Sequence, residues 1–110
     1  MDRKLKGLRA ADKRCTLLVE GGLTRPPMER TRAIAQLFGR AQAVASELGI
    51  SIEESATGGG SDGNFTAALG VPTLDGLGGV GEGAHAQNES ILLDRVVDRV
   101  ALLAGLIAKL

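Results

Sequence analysis

Residues 57–89 read TGGGSDGNFTAALGVPTLDGLGGVGEGAHAQNE, and the rest of the chain is organised around them. Most of the chain's sixteen glycines fall in this stretch, gathered around its only histidine, His85. Glycine opens positive φ and close backbone approach, so loops of this composition commonly bring main chain up to something that is not protein. Ser61, after Gly58, Gly59 and Gly60, is a good N-cap, and residues 62–69 predict a short helix closed by Gly70. Glycines leading into a helix start expose N–H groups at the positive end of a dipole, which suits a carboxylate or a phosphate. Residues 71–74, VPTL, predict a short strand, with Pro72 near its start where a missing donor is tolerated. A second glycine-rich loop, residues 76–83, delivers His85.

Working outward, residues 2–13 predict a helix with Leu5 and Leu8 as its apolar positions, and residues 15–19, CTLLV, predict a strand ending at Gly21 and Gly22. Pro26 and Pro27 punctuate the chain as a linker and suit the start of the following helix, because proline has no N–H to leave unsatisfied there. Ile34, Leu37, Phe38, Ala41, Val44, Ala45 and Leu48 form an apolar stripe of helical period, which Gly49 ends. Residues 50–53 alternate as a strand that feeds the central loop. Residues 91–110 predict a last helix, apolar except for Asp94, Arg95, Asp98 and Arg99, whose natural cover is a sheet face. This order implies an α/β layer of helices against a partly parallel sheet, with the binding loops at the carboxyl ends of the strands. No internal repeat is present.

Thirteen basic and thirteen acidic residues cancel, so no global field favours nucleic acid or an anionic membrane. The basic start, with Arg3, Lys4, Lys6, Arg9, Lys13 and Arg14, carries no aromatic residue for base stacking and reads as a solvated helix face. Two Phe are the only aromatics in 110 residues, so a core would be built from small aliphatic side chains in a chain short for independent stability. Cys15 is the single cysteine, which rules out an internal disulfide and points to a reducing, cytoplasmic setting. No apolar run is long enough for a membrane span, and no apolar core of a signal peptide follows the charged start.

Candidate residues carry competing roles. His85 is either a zinc ligand or an ordinary loop histidine, and one ligand is not a site, since catalytic zinc takes about three protein ligands plus water. Arg25, before two prolines, is either a linker charge or a guanidinium held for bidentate capture of a carboxylate. Glu89 either orients the loop or a metal-bound group, or is a carboxylate favoured by a helix start, and Asp62 likewise. Residues 76–81 match GxGxxG, but the residues that follow continue as loop, where a dinucleotide-binding turn needs a helix to begin. There is no GxSxG elbow, and Cys15 with His85 lacks the context of a nucleophile pair.

Taken in order, Arg25-Pro26, the GGGSD of residues 58–62, the GVP of residues 70–72, the GAH of residues 83–85 and Glu89 resemble the C-terminal catalytic segment of the dizinc aminoacylase/carboxypeptidase family, glutamate carboxypeptidase-like members included. The resemblance covers most of the chain. It implies that residues 25–110 are the C-terminal part of a zinc-peptidase catalytic domain, and that residues 1–24 are the last helix and strand of an inserted α+β lid or dimerisation domain. In that family the histidine matching His85 ligates zinc, and the positions matching Arg25, Thr57 and Gly60 hold the carboxylate end of the substrate. Glu89 and Asp62 would support that site, and no catalytic residue is assigned within the chain. The complete family site holds two zinc ions whose other ligands and general-base Glu come from an N-terminal half that these 110 residues do not contain. The parent enzyme would cleave an amide bond beside a free carboxylate in a peptide or N-acyl amino acid, and this chain alone would be inactive. The alternative is a noncatalytic interaction module or truncated product that self-associates through apolar surface made for the missing half.

Overall fold

The computed structural model describes residues 2–109. Its elements in order are α1 (Asp2–Lys6), α2 (Arg32–Glu47), α3 (Gly63–Ala68), β1 (Gly81–Glu82), β2 (Ser90–Ile91), a 3-10 turn (Leu93–Arg95) and α4 (Val96–Lys109). The radius of gyration is 19.7 Å and the extents are 65 × 36 × 17 Å, whereas a compact domain of this length has a radius of about 13 Å. The described residues therefore form an elongated body around a small core.

That core is a contact between α2 and α4. The apolar stripe of α2 buries Ala41, Val44 and Ala45 against Leu102 and Leu106 of α4, with Ile50, Ile52, Leu74 and Leu77 packed at the margin. Helix α2 starts at Arg32, five residues beyond Pro27, because the Thr31 hydroxyl accepts the Ile34 N–H at 3.2 Å and makes the cap there. The preceding segment is tied down instead by Arg30, which donates two hydrogen bonds of 2.8 Å to the Glu54 carboxylate. Gly49 (φ 70°) and Gly70 (φ 84°) end α2 and α3. In each case the glycine N–H and the next one donate back to the last turn, Gly49 to Ser46 and Ile50 to Ala45, Gly70 to Ala67 and Val71 to Thr66. At the far end of α4, Arg40 donates to the Lys109 carbonyl at 2.9 Å, and the Lys109 ammonium pairs with Glu47. A cation on the last carbonyls of α4 satisfies acceptors that the helix leaves open.

The sheet differs from the sequence expectation. Among the described residues the only strand pairing is antiparallel, β1 with β2, in the register Gly81 with Ile91 and Glu82 with Ser90. Residues 15–19, 50–53 and 71–74 are not strands. A strand needs its N–H and C=O groups paired in a ladder, and among the described residues no ladder joins these segments to a neighbour, although Ile50, Ile52 and Leu74 meet at the core margin. Ile50 and Ile52 still alternate inward while Ser51 and Glu53 face solvent, so the period of two survives without a ladder. Leu17 and Leu18, expected in a strand, are exposed. The last helix also starts later than its apolar run, since Ser90 and Ile91 are spent on β2. Gly81 permits that pairing: a Cβ there would fall on the Ser90 carbonyl oxygen.

Candidate functional site

The glycine turn before α3 meets the Arg25 segment. A Cβ at Gly60 would lie 2.8 Å from Arg25 Cδ, closer than real side chains approach, so glycine is what lets the arginine stem cross the turn. The guanidinium then lies over the Phe65 ring, its central carbon 4.9 Å from the ring centroid. One of its nitrogens is 3.7 Å from Asp62 Oδ1. The Arg25 side chain is 38% exposed and that of Asp62 98% exposed, so the arginine is seated while its acidic neighbour is free to swing away. Arg25, Gly60 and Asp62, singled out in the sequence, thus stand together, and Phe65 joins them. Phe65 is legible as a candidate only through its spacing from the GGGSD run, which carries no sign of an arginine partner 40 residues earlier.

Thr57 acts locally: its hydroxyl accepts the Gly59 N–H at 3.3 Å and shapes the turn. Ser61 Oγ accepts the Gly63 N–H at 3.2 Å, and the Asn64 side chain accepts the Ser61 N–H at 2.9 Å while donating to the Pro26 carbonyl at 2.8 Å. The Ser61 hydroxyl and the Gly76 N–H hold the Asp75 carboxyl below its ordinary pKa. Met28 Sδ and Thr73 Cγ2 close over Gly63. Since α3 has only six residues, its dipole adds little, and the charge of the site comes from Arg25.

His85 stands elsewhere, in the loop that joins β1 to β2. The Gly83 carbonyl accepts the Ala86 N–H at 2.8 Å, closing a turn, and the Ala86 carbonyl accepts the Glu89 N–H at 3.1 Å, closing a second. His85 is exposed and has φ 67°, the only non-glycine residue in the left-handed region among those described. That conformation costs an L-residue about 1–2 kcal/mol, and such positions concentrate at functional sites. Glu89 is in the same loop and exposed.

A zinc centre needs converging donors. Among the described residues no group of three or more His, Cys, Asp or Glu could hold a metal ion, and Cys15 is a free, exposed thiol. The donors among the described residues therefore do not by themselves fit a zinc site. No helix among the described residues is long and apolar enough to cross a membrane. The GxGxxG of residues 76–81 runs into β1 and a hairpin loop rather than into a helix, which removes the dinucleotide-binding geometry.

Neither curated protein sequences nor solved structures give a match to the chain. The family model described as peptidase family M20/M25/M40 matches residues 19–109, a span that contains the arginine-proline turn, the glycine turn, the hairpin histidine and both core helices. By that match the chain belongs to peptidase family M20/M25/M40.

Proposed function

We propose that this chain carries the substrate-carboxylate grip of a glutamate carboxypeptidase-like metallopeptidase, an enzyme that cleaves an amide bond beside a free carboxylate in a peptide or N-acyl amino acid. The observation that carries the proposal is Arg25 held between Gly60 and the Phe65 ring. A guanidinium presents paired N–H donors that match a carboxylate, and stacking on a ring removes side-chain freedom before the ligand arrives. Asp62 balances the charge in the meantime. An exposed pair at 3.7 Å contributes only about 0–1 kcal/mol, so an incoming carboxylate displaces it at little cost. Thr57 keeps the turn in shape, and Gly60 keeps it open.

M20 peptidases are generally zinc-dependent, and His85, presented on a constrained turn, is the residue of this chain suited to ligate a metal. One imidazole does not make a catalytic centre, so no bond cleavage is assigned to the chain by itself. The exposed Cys15 thiol fits a reducing compartment such as the cytoplasm. Titration of the 110-residue chain with N-acetyl-glutamate, followed by NMR, is expected to shift the Arg25 side chain and the Gly59 and Gly60 amides. Arg25→Lys, which keeps the charge but loses the fork and the stacking, should abolish those shifts. Equal responses in both proteins would refute the grip.

A second reading, self-association, is favoured by one observation. Leu93, Val97, Val100, Ala104 and Ile107 repeat at intervals of four and three along the 3-10 turn and α4, and all five are exposed. That is a helical apolar seam on the opposite side from Leu102 and Leu106. A monodisperse monomer in sedimentation at high concentration would count against it.

A further inference from the structure

We propose that Asn64 is a positioning residue which fixes Arg25 against the glycine turn by tying the arginine-proline backbone to Ser61. The proposal rests on the reading of Arg25 as the carboxylate grip. The Asn64 side chain spans two segments far apart in sequence: Nδ2 donates to the Pro26 carbonyl at 2.8 Å, and Oδ1 accepts the Ser61 N–H at 2.9 Å, both bonds half-buried. Pro26 follows Arg25 directly. Neither Pro26 nor Pro27 has an N–H, so the backbone here offers only carbonyls for attachment, and Asn64 takes the first of them. The next residue, Phe65, lies under the guanidinium. Asn64 therefore sets the origin of the arginine stem, and Phe65 its end. The Asn64 amide carries its acceptor and its donor on separate atoms, so it holds both partners at once.

A different role is available to a polar residue in the first turn of a short helix, namely serving that helix alone. The two roles separate on substitution by aspartate. Asp at position 64 keeps an acceptor for the Ser61 N–H, and its charge suits a helix start. It has no donor for the Pro26 carbonyl, and it sets a carboxylate against that oxygen. A residue that only serves α3 tolerates Asn64→Asp, while a clamp does not.

The experiment uses the labelled 110-residue chain and reads the Arg25 side-chain proton shifts, which the ring current of Phe65 displaces. In ligand-free protein, Asn64→Asp and Asn64→Ala should both return these shifts toward their random-coil values, while Asn64→Asp leaves the amide shifts of residues 66–68, beyond its immediate neighbours, in place. N-acetyl-glutamate affinity should fall about three- to tenfold in both variants, the loss expected from one hydrogen bond. It is measured at high salt, where repulsion by the added carboxylate is screened. Independently of any variant, the Asn64 amide protons of the wild-type chain should exchange slowly with solvent. Wild-type Arg25 shifts in Asn64→Asp, or rapidly exchanging Asn64 amide protons, would overturn the clamp. Absence of any Arg25 response to N-acetyl-glutamate in the wild-type chain would overturn the carboxylate grip instead, and the ligand-free shifts would still decide the clamp.

Discussion

Gly105 and Gly39 both lie inside helices, α4 and α2, and replacing each by alanine separates helix propensity from packing. Alanine is better than glycine in a helix interior by about 1 kcal/mol. At Gly39 a Cβ meets nothing within 4 Å, so Gly39→Ala should stabilise the chain by about that amount. At Gly105 a Cβ would lie 2.8 Å from Val44 Cγ1. Val44 is buried and β-branched, with one strongly preferred rotamer in a helix, so it has little room to yield. Overpacking of that kind costs about 1–3 kcal/mol. Gly105→Ala is therefore expected to lie between neutral and about 2 kcal/mol destabilising, and the two variants should differ by roughly 1–3 kcal/mol. Urea denaturation followed by circular dichroism measures both. If Gly105→Ala stabilises as much as Gly39→Ala, then α2 and α4 do not pack at Val44, and the core described above is wrong.

Acidification should loosen the join between the glycine turn and the following loop. The folded pKa of Asp75 is lowered by the Ser61 hydroxyl and the Gly76 N–H. Its contribution is thus fully present above the ordinary carboxylate pKa of about 4 and is lost as pH falls below it through the lowered folded value. Ser61 and Gly76 amide shifts should report the change, and Asp75→Asn should remove it; a transition that persists in Asp75→Asn would refute the assignment. On the outer face of α4, Val100→Glu with Ile107→Glu should abolish concentration-dependent sedimentation. Both side chains are largely exposed, so stability should change by no more than about 0.5 kcal/mol per site. Sedimentation unchanged from wild type would refute this seam as a contact between copies.

Local chemistry was legible in the sequence wherever the residues themselves satisfy the backbone. The stripe of α2, its stop at Gly49 and the stop of α3 at Gly70 are matters of side-chain period and left-handed glycine, and they appear where the sequence places them. The strands were not legible in the same way, because residues 15–19, 50–53 and 71–74 have strand-like composition but form no ladder among the described residues. Period and propensity cannot provide the ladder. The start of α2 at Thr31 rather than at Pro27 follows from a hydroxyl within reach of the Ile34 N–H, a competition that composition does not rank. At the site, Arg25 and Gly60 were visible from their motifs. The residues that hold them together, Asn64 and Phe65, act across nearly 40 residues through a carbonyl and a ring face, neither of which leaves a periodic trace.

On the proposed reading this chain holds the substrate carboxylate, while His85 by itself does not make a metal centre. Calorimetric titration of the purified chain with zinc, paired with a hydrolysis assay on acyl-glutamate substrates, tests it most directly. His85 is the sole imidazole, and no cluster of three donors lies among the described residues. Zinc affinity should therefore be weak and turnover absent. Submicromolar zinc affinity together with turnover that disappears in His85→Ala would show instead that the chain holds a working metal centre of its own.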